Sequence, residues 1–208
     1  MSFRLMSAIA AMLACVSAAG ASDNDLRDLK IGMSVGDIPV DEYVDLTCAS
    51  QRESKLTGWG EYRKCPADAA GLRGVTFRFN DRLNPLARLN DKYEGTKVGG
   101  HPVVLTSLIE EGGRIEALRI DTDPGARLFW HKKAYLLAMV IKARFGEDGW
   151  NCRDLGPSDG ETPVGGVFIK DHCEKTADSR ELVLERALYR RADQSMSDFV
   201  NETHFEIR

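Results

Sequence analysis

The sequence predicts an α+β domain in which an antiparallel sheet packs on one long helix. Three features predict it. Residues 124–145 carry an unbroken helical pattern, alternating segments before and after it read as strands, and four cysteines follow an export leader. A chain of 208 residues suits one domain or two small ones. A weak echo runs through it: Gly58-Trp59 precedes Cys65 and Gly149-Trp150 precedes Cys152, each followed by a Gly-rich break and a strand. Two related α+β halves would explain the echo. No low-complexity linker separates them, so residues 22–208 read as a single α+β domain with two disulfides.

The leader comes first. Met1-Ser2-Phe3-Arg4 is a short positive start, and the apolar run over 5–14 is too short to span a bilayer. Ala19-Gly20-Ala21 is a small-x-small cleavage pattern, so residues 1–21 read as a signal peptide cut after Ala21. A lipoprotein anchor at Cys15 is the rival, but Met12-Leu13-Ala14 before it is a poor version of the usual pattern. No later stretch is apolar enough to cross a membrane, so no transmembrane segment is expected after cleavage. The formal charge is −4, and losing Arg4 with the leader makes it more acidic. An acidic chain gives no reason to expect nucleic acid.

The cysteines of the mature chain are Cys48, Cys65, Cys152 and Cys173. An even number in an exported chain favours two disulfides, and three connectivities are possible. The sequential pairs Cys48–Cys65 and Cys152–Cys173 are favoured, each closing a loop of modest length. Zinc sites bring ligands in close pairs such as C-x-x-C, which this chain lacks, so no metal is expected.

Along the mature chain, residues 51–64 read as a polar, disulfide-closed loop carrying Trp59. Val75-Thr76-Phe77-Arg78-Phe79 alternates and breaks at Asn80-Asp81, a strand with a turn. Residues 83–93 are ambiguous. A strand over 102–109, a Glu110-Glu111-Gly112-Gly113 turn and a strand over 114–120 form a hairpin. Residues 167–170 and 181–189 read as further strands. The tail has two readings: a short helix capped by Ser195 with Asp198, or a last strand over 203–207.

The long helix opens at Asp123-Pro124, a capping side chain and a proline where no N–H is needed. Gly146 closes it. At about 100° per residue, Leu128, Tyr135, Leu136 and Met139 fall on one side, and Trp130, Leu137 and Ile141 on the other. An ordinary surface helix has one apolar stripe. Two stripes predict contact on both flanks: sheet on one, long loops or a partner on the other.

The candidate chemistry is sparse. Gly32-Met33-Ser34-Val35-Gly36 matches the nucleophile-elbow pattern, but Ser34 lies too early for the strands an elbow requires, and Pro39 blocks the following helix. Four scattered histidines without an H-x-x-x-H pair argue against a metalloenzyme. His101, before Pro102, begins a strand and is the one candidate acid/base. Asp121-Thr122-Asp123 looks like a calcium loop but carries Ala126 where such a loop needs glycine. Gly-rich pieces lack the P-loop lysine and the dinucleotide spacing, so no cofactor is expected.

Residues 29–38, with Gly32-Met33-Ser34 and Asp37 three positions after Ser34, resemble the opening of two kinds of small secreted module. These are the outer-membrane assembly lipoproteins of the SmpA/OmlA type and the β-lactamase-inhibitor proteins. The resemblance implies a short helix after the turn, then a small antiparallel sheet, in a binding module. Pro39 departs from that helix, and no functional residue carries over. The expectation is therefore an exported, non-catalytic binding or protein-interaction module, with a partner in the cell envelope and Trp59, His101 and Trp130 as candidate binding residues. The alternative is a small periplasmic enzyme using His101.

Overall fold

A computed structural model describes residues 25–80, 96–195 and 198–208. The expected leader with Cys15, and the ambiguous stretch 83–93, lie outside the described residues. Alternation dominates the chain. Among the described residues strand accounts for 48% and helix for 17%, so the expected α+β class, a sheet on one long helix, gives way to a mostly β molecule.

Among the described residues, eleven antiparallel strands make one sheet. They are β1 (Tyr43–Cys48), β2 (Gln51–Lys55), β3 (Arg73–Phe79), β4 (Thr96–Val98), β5 (His101–Ile109), β6 (Ile115–Thr122), β7 (Asn151–Asp154), β8 (Glu161–Thr162), β9 (Ile169–Ala177), β10 (Arg180–Arg191) and β11 (Val200–Ile207). The order is β2-β1-β3-β5-β6-β11-β10-β9-β7, with β4 beside β5 and β8 beside β10. The last strand of the chain thus lies against β6, and the two parts of the sequence echo share one uninterrupted sheet. The expected hairpin is β5–β6, and the tail takes its strand reading as β11.

Side chains alternate between faces along each strand. Val75, Phe77, Leu105, Leu118, Ile120, Leu182, Leu184, Phe205 and Ile207 are buried on one face. The opposite face is mostly polar, with Thr76, Thr106, Arg119, Asp121, Glu185, His204 and Glu206 beside Val183. The apolar face carries the core and is covered by the N-terminal segment, the 3-10 turn Trp59–Lys64 and the helical segment after β6.

That helical segment corrects the single long helix. Asp123 does not cap it; its Oδ1 accepts from Gly125 N–H at 2.8 Å, closing a local turn. One turn, α1 (Leu128–His131), is followed by a break at Lys133 (φ −110°, ψ 5°). A 3-10 turn Ala134–Leu136 then leads into α2 (Leu137–Phe145). Two β11 side chains hold the break. Asn201 Oδ1 accepts from Tyr135 N–H at 3.0 Å, and Thr203 Oγ1 donates to Ala134 C=O at 3.0 Å. Of the two expected stripes, only the one carrying Leu137 and Ile141 is buried. Ala134, Leu137, Ala138 and Ile141 are buried together, while Leu128, Phe129 and Met139 stay in solvent. Gly146 ends α2 at φ +88°, as the sequence predicts. Lys175 Nζ donates to the carbonyls of Phe145, Gly146 and Asp148 at 2.7, 3.0 and 2.7 Å, satisfying the helix end from β9.

Both favoured disulfides form, Cys48–Cys65 and Cys152–Cys173. The first ties β1 to the segment carrying the Trp59–Lys64 turn. The second joins direct cross-strand neighbours on β7 and β9. Ser34 caps a 3-10 turn, Val35–Asp37, accepting from Gly36 N–H at 3.3 Å. It serves the turn, not a nucleophile elbow. Among the described residues, no helix is long and apolar enough to cross a membrane.

Candidate functional site

The polar face of the sheet carries an ordered row of charge. Register alone sets it: Arg153 on β7 lies opposite His172 on β9, His172 opposite Glu185 on β10, Glu185 opposite His204 on β11, and His204 opposite Asp121 on β6. A second row runs beside it through Glu174, Val183, Glu206, Arg119, Thr106 and Thr76. Opposite charges directly across a ladder stabilise it, and like charges there do not.

The rows are locked by side-chain contacts. His172 Nδ1 meets Glu185 Oε1 at 2.8 Å and its Nε2 meets Glu174 Oε1 at 2.9 Å. With a carboxylate on each ring nitrogen, Glu174 first and Glu185 second, its pKa is raised above the ordinary histidine value. His204 Nδ1 pairs with Asp121 Oδ1, and this bond raises its pKa against the opposing effect of burial. Glu206, buried, pairs with Arg119 and with Arg208.

A hollow of about 330 Å³ lies where the rows meet the splayed end of β6 and β11. The ladder between these strands stops at His204–Asp121, while β11 runs on to Val200 paired with β10. Past that point Thr203 N–H donates to the Thr122 hydroxyl at 3.1 Å instead of to a β6 carbonyl. Asp123, Pro124 and His131 line the opened wedge. Thr76, Thr106, Arg119, Asp121 and His204 rise from the sheet, and Arg52 from β2 and Glu202 add charge to the lining. The hollow therefore offers both hydrogen-bond donors and acceptors, with Arg119, Asp121 and His204 held in ion pairs.

The residues singled out from sequence are placed elsewhere. Trp59 is 3% exposed, packed against Tyr43 and Phe77 with ring centroids 5.8 and 5.2 Å away, and presents no surface. His101 and Trp130 do come together, with His131, around a crevice of about 10 Å³. That space holds about one water molecule. Burial, then the nearby Lys133 charge, push the His101 pKa below its ordinary value. Trp130 is half-buried, with Lys97 Nζ 5.3 Å from its ring centroid. The four cysteines are structural.

Sequence reasoning missed His172, Glu185 and His204. A signal existed: if residues 203–207 are a strand, His204 and Glu206 share one face, and Arg119 and Asp121 share another. Which strands are neighbours is a long-range fact that alternation within one strand does not contain. Among the described residues, no three His, Cys, Asp or Glu side chains gather in a way that could hold a metal ion.

No family model matches the chain, and no solved structure matches it. A threonine–tRNA ligase from Caldanaerobacter subterraneus subsp. tengcongensis is 35% identical over 51 residues, covering 24% of this chain and 8% of that enzyme. The chain thus spans less than a tenth of that relative, and the match assigns neither family nor activity.

Proposed function

We infer that the protein is an exported, periplasmic binding or interaction module rather than a catalyst. The observation that carries this reading is the hollow at the β6–β11 splay. Its volume lies at the low end of small-ligand sites, and its charges are pre-set by ion pairs, which favours recognition over reorganisation. Two disulfides support an oxidising compartment. A charged partner from the cell envelope could use the same polar face, since complementary charge guides docking.

One observation favours the enzymatic alternative, and it moves the acid/base away from His101. The His204–Asp121 pair has the arrangement of a histidine oriented by a carboxylate, and it faces a cavity that could admit a small substrate. The crevice at His101 gives that residue no such room.

A panel of small polar molecules, incubated with the protein and examined by native mass spectrometry, separates the readings. A binding module retains one member of the panel unchanged, and His204→Gln weakens retention about tenfold, as expected for a lost hydrogen bond to a charged group. Turnover of that member by the wild type, abolished in His204→Gln, would overturn the non-catalytic reading.

A further inference from the structure

The break in the helical segment leaves residues 127–133 on the surface. Leu128 is 51% exposed and Phe129 60% exposed, side by side at the tip of α1. Around them stand Arg127, Lys132 and Lys133, with Lys133 Nζ 4.2 Å from the Phe129 ring centroid. Lys97 reaches the neighbouring Trp130 from β4. The whole chain carries a net charge of −4, yet these seven positions hold three cations and no acid.

The apolar tip has no inward alternative. The stripe that faces the sheet is filled by Ala134, Leu137, Ala138 and Ile141, and the break before it is held by Asn201 and Thr203. Leu128 and Phe129 are therefore presented by a fixed backbone.

We propose that residues 127–133 dock on an anionic lipid surface. Phe129 and Leu128 enter the headgroup boundary, Trp130 lies at that level, and Arg127, Lys132 and Lys133 contact the lipid phosphates. Aliphatic and aromatic side chains ringed by lysine and arginine are the chemistry of interfacial anchors. A bilayer is favoured over an acidic protein for two reasons. Two protruding apolar side chains offer far less than the roughly 800 Å² per partner that a stable protein interface buries. Lysine ammoniums on flexible stems suit a diffuse, mobile field of phosphates better than a fixed set of carboxylates. The segment lies on the surface rather than spanning it, and the proposal does not rest on the ligand reading of the hollow.

Sedimentation with vesicles of phosphatidylglycerol and phosphatidylcholine, against pure phosphatidylcholine, tests this. The wild type is expected to partition onto the anionic vesicles and to be released when salt is raised about tenfold. Lys132→Ala with Lys133→Ala should weaken partitioning about 25-fold, at roughly fivefold per lysine. Leu128→Ser with Phe129→Ser should weaken it at least tenfold while far-ultraviolet circular dichroism stays unchanged, because both side chains are in solvent. In the wild type, brominated lipid should quench a tryptophan signal that is lost in Trp130→Phe. Equal partitioning onto neutral vesicles, or anionic binding that survives both double variants, would overturn the proposal. So would an absence of vesicle binding by the folded wild type, including the case in which an acidic protein occupies the patch instead.

Discussion

Individual histidines in this protein are driven in opposite directions by their neighbours. His101 loses its charged form to burial and to Lys133, while His172 gains it from Glu174 and Glu185, and His204 from Asp121. An NMR titration should therefore find His101 below the ordinary histidine value of about 6.5 and both others above it. The consequence for stability has a definite sign. A histidine whose pKa is higher in the folded state contributes stability that is fully present below about pH 6.5 and lost as pH rises through the raised value. Unfolding free energy should fall over that window, and Asp121→Asn should flatten the part due to His204. Thr203 offers a test free of charge. Thr203→Val keeps the shape and removes the donor to the buried Ala134 carbonyl, so it should cost about 1–3 kcal/mol in denaturant unfolding. Nothing local in the sequence marks His204, because its partner Asp121 is 83 residues away. His101 drew notice because a proline follows it, a local feature that says nothing of the space around the ring.

Elements were legible where the pattern was local. The β5–β6 hairpin was readable from its turn chemistry, and β3 and β10 from alternation. The helix was not, because its periodicity is real only in pieces. Residues 137–145 keep one stripe, whereas the pattern before them belongs to a turn and a break set by Asn201 and Thr203, which lie on the last strand. A continuous helix would have kept one of its apolar flanks off the sheet; the break turns Ala134 and Leu137 inward and leaves Phe129 out. Gly99, between β4 and β5, tests how closely α2 is seated. It has φ +55°, and a Cβ there would stand 2.3 Å from Val140 Cγ1. Gly99→Ala should lower stability by about 1–3 kcal/mol from overpacking, with a further ~1–2 kcal/mol from the left-handed backbone. Adding Val140→Ala should recover the first part and not the second, which a double-mutant cycle resolves.

At the scale of the molecule, one sheet separates two environments. Its covered face holds the aromatic and aliphatic core, and its open face holds rows of paired charge that end in the hollow. The cysteine pairing was legible from count and spacing; the sheet order that brings β11 to β6 was not, since no local pattern specifies it. The disulfides close separations of 17 and 21 residues towards opposite ends of the sheet, and each should contribute about 3 kcal/mol by restricting the unfolded chain. Denaturant unfolding with and without reductant should show losses of that size, independent for the two pairs. The central claim is that the open face around the hollow is where the molecule engages its ligand. Amide and imidazole shifts recorded while the protein is titrated with the small polar molecule it retains test this most directly. The account predicts changes clustered at Thr106, Arg119, Asp121 and His204. Changes confined to the covered face or to the His101 crevice, with His204 unmoved, would contradict it.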